Sequence, residues 1–175
     1  MKRTLITTLA FLMVATIAAA NGGEHGGPGD NDFGRGGAGA IVGSDGTVFI
    51  TRTVVDTGTN TATTTITAVR PAGTTAWTIT VNSHGNLRLS GSNLISLSET
   101  RATDGTVTST LTAYSTATGA TAWTHTINGE VQDLLPFSGG TYAIVVVPAT
   151  ITGGTATRSL VAIGNDGSVL WTVSL

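Results

Sequence analysis

The sequence predicts an all-β fold made of three repeated units, each of four short antiparallel strands. From Ala40 onward, apolar and polar residues alternate in short runs, as they do in strands with one buried face. Gly-containing turns separate these runs, and Thr favours strands while Gly breaks helices. Only 10% of residues are charged, against about 25% in an average soluble protein. The strongest hairpin signals are Asp45-Gly46, Asp104-Gly105, Gly153-Gly154 and Asp166-Gly167.

The three tryptophans define the repeat. Trp77, Trp123 and Trp171 each follow a Gly by four residues (77−73, 123−119, 171−167). Successive tryptophans are separated by 46 (123−77) and 48 (171−123) residues, close to the period of about 40 to 50 residues of a four-stranded repeat. We therefore assign the units to residues 40–81, 87–127 and 131–175.

A large flat indole can fill the gap between two stacked sheets where the facing backbone carries Gly or Ala. We expect each Trp to pack against the unit that follows it in the chain. The residues predicted to form these docks are Trp77, Trp123, Trp171, Gly73, Gly119, Gly167, Ala68, Ala113 and Ala162.

Residues 111–123 resemble the tryptophan-docking motif of the pyrroloquinoline-quinone-like (PQQ-like) β-propeller repeat. That motif runs Ala, any residue, Asp, three residues, Gly, three residues, Trp. The second unit matches its spacing from Ala113 to Trp123, whereas the other two units are one residue shorter. All three lack the motif's Asp and have Ser115, Arg70 and Gly164 there. The resemblance implies three propeller blades in an open or partial propeller, since closed rings use about four to eight.

Quinone-dependent enzymes built from this repeat hold a calcium ion with a carboxylate and an amide, and often carry a vicinal disulfide. This chain contains no Cys. It also has no paired-His metal motif, no Gly-x-Ser-x-Gly elbow and no phosphate-binding Gly loop. We therefore expect a non-catalytic member of the repeat family, with no catalytic residue, metal or cofactor. A net charge of −2, without a cluster of basic and aromatic residues, argues against a nucleic-acid partner.

The N-terminus predicts export to the periplasm or the extracellular space. Lys2 and Arg3 precede an apolar run that ends in the small residues Ala18 to Ala20, as in a signal peptide over residues 1–20. The alternative is an uncleaved anchor, but about 16 apolar or weakly polar residues fall short of the roughly 20 that span a bilayer. No membrane span is expected after cleavage.

Residues 21–39 form a Gly-rich leader without apolar periodicity, which predicts a flexible linker. Residues 26–34 resemble one calcium-binding nonapeptide of the repeat-in-toxin type. Asn31 holds the Asp position of that repeat, and the following turn at residues 36–39 lacks its acid. A calcium site between consecutive turns is therefore not expected, and the propeller-repeat domain begins at residue 40.

Ligand-binding residues are predicted in the connections between units. Residues 82–86 and 128–130 should open on one face near the axis of the stack, where convergent polar groups often hold a ligand. The predicted ligand contacts are His84 and Glu130 in these connections and Asp133 just beyond the second one. The alternative is that these residues form solvated turns. The preferred hypothesis is a secreted, non-catalytic scaffold for protein or glycan interaction.

Two other hypotheses for the function stay open, and so does the oligomeric state. One is that the chain is a truncated fragment of a larger propeller, for which a quinoprotein is one candidate. The other is a Thr-rich surface adhesin or filament subunit. For the oligomer we predict either an open arc or a homodimer that completes a six-blade ring.

The mature N-terminus is expected at or near Asn21, because the small residues that a signal peptidase requires end at Ala20. N-terminal sequencing of the protein accumulated by its host would check this. Exported protein that still begins at Met1 would contradict the prediction.

Overall fold

The structure is a computed structural model that describes residues 38–56, 58, 61–83, 87–149 and 154–175. The predicted signal peptide and nearly all of the predicted leader lie outside these residues. Within them, all regular secondary structure is β, arranged as three four-stranded antiparallel sheets. The prediction of an all-β chain with three four-stranded units is confirmed. No helix in the described part of the chain is long and apolar enough to cross a membrane.

Each sheet is a simple meander in which strands pair in the order of the sequence. Sheet 1 contains β1 (Ala38–Val42), β2 (Val48–Asp56), β3 (Thr61–Val69) and β4 (Thr75–Val81). Sheet 2 contains β5 (Leu87–Ser90), β6 (Asn93–Arg101), β7 (Val107–Ser115) and β8 (Thr121–Asn128). Sheet 3 contains β9 (Glu130–Phe137), β10 (Gly140–Val147), β11 (Thr157–Gly164) and β12 (Val169–Ser174).

The Asp-Gly turns close their hairpins in one common way. In the β6–β7 turn, Gly105 N–H donates to Ala102 O at 3.0 Å, and Ala102 N–H donates to Thr106 O at 2.8 Å. Gly105 has a φ of +87°, a conformation in which a side chain is strained and Gly is not. The Asp104 carboxylate accepts the Thr106 N–H at 2.9 Å, so the dipeptide Asp-Gly supplies both the acceptor and the backbone freedom.

Sheet 2 lies between the other two sheets and buries both of its faces. On β6, Leu94 packs with sheet 1, whereas its neighbours Ile95 and Leu97 pack with sheet 3. This follows from the alternation of side chains along a strand. The cluster between sheets 1 and 2 contains Phe49, Ile66, Ala68, Val81, Leu87 and Leu94. The cluster between sheets 2 and 3 contains Ile95, Leu97, Leu111, Ala113, Val131, Leu134, Ala143, Val145, Val161 and Ile163.

Buried hydroxyls fix the connections between sheets. Thr64 Oγ1 donates to Ser83 O at 2.8 Å beside the β4–β5 connection. Ser109 Oγ donates to Gly129 O at 2.7 Å beside the β8–β9 connection. Each hydroxyl lies four residues before the predicted docking Ala of its unit (68−64, 113−109). Because a buried carbonyl without a partner is destabilising, these bonds hold the chain where it leaves one sheet for the next.

The turn residues Asp45, Asp104 and Asp166 have lowered pKa values, from which we expect the protein to lose stability in acid. The pKa values of Asp45 and Asp104 lie below 3.8, the ordinary value, chiefly because backbone N–H groups of Thr47 and Thr106 donate to the carboxylates. The Ser168 hydroxyl is the main cause of the lowered pKa of Asp166. A lowered folded-state pKa stabilises the fold above the unfolded-state value, and this contribution disappears as pH falls through the folded-state pKa.

We therefore expect the difference in unfolding free energy between wild type and an Asp45→Asn/Asp104→Asn/Asp166→Asn variant to shrink below about pH 4. Urea unfolding of both proteins at neutral pH and at about pH 2.5 would measure it. A difference that stays constant over this range would contradict the assignment.

Candidate functional site

The contact between sheets 1 and 2 is built around Trp77. This residue lies on β4 opposite Ala68, which is fully buried and leaves room for the indole. The indole lies directly on Gly119 of sheet 2, where an added Cβ would be only 2.8 Å from Trp77 Cε3. Trp77 Nε1–H donates to Thr116 O at 3.0 Å, and the Phe49 ring packs beside the indole with centroids 5.7 Å apart. The sequence thus places a large side chain where the facing backbone has none.

Trp123 makes the same contact between sheets 2 and 3. It lies opposite Ala113, and an added Cβ on Gly167 would be 2.8 Å from Trp123 Cδ2. Its Nε1–H donates to Asn165 O at 2.8 Å, and the same carbonyl accepts Asn93 Nδ2–H at 3.0 Å. Both docks therefore combine an indole on a Gly with a hydrogen bond to a carbonyl of the same turn.

The third predicted dock is incomplete within one chain. Trp171 lies opposite the buried Ala162 on sheet 3, with Tyr142 beside it at 5.6 Å between ring centroids. Its side chain is 43% exposed. Gly73 of sheet 1 has a φ of +79°, and no atom of the described residues lies within 4 Å of the position of an added Cβ. The structure places four of the six predicted Trp and Gly residues in docks and leaves Trp171 and Gly73 on open faces.

The predicted ligand residues occupy different settings. His84 lies outside the described residues. Glu130 forms an ion pair with Arg101, with Nη2 and Oε2 3.6 Å apart. Asp133 accepts the N–H of the adjacent Leu134 at 2.8 Å. Glu130 and Asp133 pair across the sheet with Val146 and Ile144, so both belong to β9.

The expectation of a loop over residues 128–130 is wrong. Asn128 ends β8 and Glu130 begins β9, which leaves Gly129 alone between the two strands. Gly129 adopts a φ of +126° and its N–H donates to Val107 O at 2.8 Å. A single residue can make this connection because Gly tolerates the positive φ.

A polar cleft that the sequence did not reveal lies between sheets 1 and 2, at the end where β4 leads to β5. Its volume is about 480 Å³. The residues that line it are mostly polar: Thr61, Ala62, Thr63, Asn82, Ser83, Ser98, Glu99 and Thr100. Asn82 and Ser83 belong to the connection singled out from the sequence. The remaining residues are strand residues, and only the packing of the two sheets brings them together.

Glu99, next to this cleft in the chain, is held by one backbone and one side-chain contact on the other side of β6. Its Oε1 accepts the N–H of Val131 at 3.2 Å and lies 3.1 Å from Ser109 Oγ. Thr53 holds the corresponding position of sheet 1, because it pairs with Thr64 as Glu99 pairs with Ser109. The hydroxyls of Thr53 and Thr64 are 2.8 Å apart. Glu99 therefore belongs to a repeated structural contact, on the side of β6 that turns toward sheet 3.

The cleft can donate and accept hydrogen bonds to a ligand of low charge. Among the described residues, no group of three or more His, Cys, Asp or Glu side chains could hold a metal ion. Hydroxyl and amide groups recognise other hydroxyls and amides by their geometry.

No protein-family model matches the sequence, and no curated protein matches it.

Replacing Gly119 by Ala is expected to destabilise the protein more than replacing Gly105 by Ala. Both positions have positive φ, with values of +73° and +87°, so both substitutions share the backbone strain of about 1 to 2 kcal/mol. Only the Gly119 methyl meets an indole, and such overpacking adds about 1 to 3 kcal/mol. Urea unfolding would compare the two variants. Equal losses would contradict the close packing of Trp77 on Gly119.

Proposed function

We propose that this chain is a non-catalytic scaffold made of three propeller-type blades of the PQQ-like kind. The observation that carries the proposal is the repeated dock: Trp77 on Gly119 and Trp123 on Gly167 join consecutive sheets in the same way. Blades need such a contact because each buries a face against its neighbour. The face-to-face order of the three sheets and their meander topology also support this assignment.

The scaffold acts after export, in the periplasm or outside the cell. The N-terminal pattern supports export: Lys2 and Arg3 are followed by an apolar run and by Ala18 to Ala20. A chain with 10% charged residues and many Thr side chains presents hydroxyls to its surroundings in place of charges. Such a surface favours hydrogen bonding over ionic recognition.

The ligand best suited to the cleft is a neutral glycan. Ser98, Thr100 and Asn82 offer hydroxyl and amide groups in the lining, and Ser98 and Thr100 lie on the side of β6 that Leu94 turns toward sheet 1. Sugar hydroxyls both donate and accept hydrogen bonds, as these side chains do. A protein partner for the cleft is the alternative outcome of the test below.

The test uses neutral hexasaccharides of glucose, of xylose and of N-acetylglucosamine, titrated into the protein and followed by amide chemical shifts. We expect at least one of them to shift resonances of the cleft. A Ser98→Ala/Thr100→Ala variant should then bind about tenfold more weakly, since each lost hydrogen bond contributes about 0.5 to 1.5 kcal/mol.

Thr118→Ala is the matched control, because Thr118 is also exposed but lies in the turn at the opposite end of sheet 2. The control should bind as wild type does. Absence of binding by all three sugars, or unchanged binding by the double variant, would contradict the glycan proposal.

A further inference from the structure

Sheet 3 carries an apolar face that turns away from sheet 2. We call it the Trp171 face: it comprises Leu135, Tyr142, Leu160, Ala162, Trp171 and Val173, which the strand register places side by side. Trp171 is 43% exposed and Val173 is 51% exposed. Soluble monomers rarely expose a contiguous apolar surface of this kind without a partner.

The Trp171 face matches, position by position, the face of sheet 1 that packs on sheet 2. Tyr142 pairs with Ala162 as Phe49 pairs with Ala68. The aromatic ring beside each Trp is in nearly the same place, at 5.7 Å for Phe49 and 5.6 Å for Tyr142. Val173 corresponds to Ile79 in the same way, since Val173 pairs with Leu160 as Ile79 pairs with Ile66. The Trp171 face is therefore one half of a sheet-to-sheet core.

The other half of such a core is open on sheet 1. We call the side of sheet 1 that turns away from sheet 2 the Gly73 face: it comprises Val42, Val48, Ile50, Val69 and Gly73. Val42 pairs with Val48 as Leu89 pairs with Leu94, and Leu89 packs in the cluster that contains Trp77. Val42 is 64% exposed and Ile50 is 44% exposed. The Gly73 face therefore has the apolar residues and the Gly that receive a Trp elsewhere in the molecule.

The turn at Gly73 also supplies the carbonyl that a dock requires. Gly73 N–H donates to Arg70 O at 2.8 Å, as Gly167 N–H donates to Gly164 O at 3.0 Å. Pro71 therefore corresponds to Asn165, whose carbonyl accepts the indole N–H of Trp123. The carbonyl of Pro71 occupies the place where an indole N–H of an incoming Trp would donate.

We infer that this chain assembles head to tail with a second copy of itself, the Trp171 face of each copy packing on the Gly73 face of the other. Each copy has one Trp171 face and one Gly73 face. A two-fold axis between the copies therefore forms two equivalent contacts and leaves neither face of either copy open. The assembly contains six sheets, within the range of about four to eight blades in closed propellers. The inference depends on the two docks inside the chain and is independent of any ligand of the cleft.

Light scattering of the full-length gene product, purified in the form that its host accumulates, tests the inference. Wild type should have the mass of two chains at concentrations of tens of micromolar. Trp171→Ala and Gly73→Asn should each have the mass of one chain. Asn tolerates positive φ better than most residues, so the Gly73 turn should survive the substitution.

Gly105→Asn is the matched control, because Gly105 lies in a turn with the same pair of backbone bonds and, within the described part of the chain, has no atom within 4 Å of an added Cβ. It should remain a two-chain assembly. Far-ultraviolet circular dichroism of all variants shows that the sheets persist. A folded wild-type monomer, or a Gly73→Asn variant that keeps the two-chain mass, would overturn the inference.

Mixing the two dissociated variants tests the direction of the contact. A Trp171→Ala chain keeps its Gly73 face and a Gly73→Asn chain keeps its Trp171 face, so the mixture should regain the two-chain mass with one intact dock. A symmetric contact of one Trp171 face with another would not be rescued by mixing. Failure of the mixture to associate, or open polymers formed by wild type, would also overturn the closed head-to-tail assembly.

Discussion

An indole pressed against a backbone position without a side chain is the contact on which the rest of this structure depends. Among the described residues of one chain, sheets 1 and 3 each bury one face, and both bury it against sheet 2. The docks of Trp77 and Trp123 lie in these two contacts. Each one places the largest side chain of its unit against Gly and gives the indole N–H a carbonyl partner. Truncating a packed Trp typically removes about 3 to 5 kcal/mol, a large part of the stability of an ordinary domain.

The sequence predicts this dock because its parts are local. Each dock uses a turn Gly and a Trp four residues later. The hairpin turn and the pairing of the Trp with an Ala on the preceding strand fix where these two residues lie. The Asp of the repeat motif is missing at Ser115, Arg70 and Gly164. In all three turns backbone bonds close the loop instead, with Ser115 N–H donating to Ala120 O at 2.8 Å as one example. The spacing from Gly to Trp therefore predicts the four-stranded unit without that Asp.

The features that the sequence did not predict arise from packing between sheets. Glu99 and Val131 are distant in the chain, and only the position of β9 beside β7 joins them. The polar cleft has the same origin, since its two walls come from β3 and β6. The connection at Gly129 was expected to be longer because its sequence contains ordinary turn residues. Its actual length depends on the long-range bond from Gly129 N–H to Val107 O.

We propose separate roles for the sheet faces and the sheet ends. The sheet faces hold the stack together inside one chain and, in the proposed assembly, also join two chains, while the proposed ligand site lies at an end of the sheets. The polar cleft lies at one of these ends, and its polar lining residues are not part of the hydrophobic clusters between the sheets. A scaffold of this kind can change its ligand through the connections without altering the docks.

Hydrogen exchange of the three indole N–H groups, followed by NMR, tests the central claim most directly. The account predicts slow exchange for Trp77 and Trp123, whose N–H groups donate to Thr116 O and Asn165 O. It predicts slow exchange for Trp171 in the wild-type assembly and fast exchange in the Gly73→Asn variant. Rapid exchange of Trp77 or Trp123, or an exchange rate of Trp171 that does not depend on Gly73, would contradict the account.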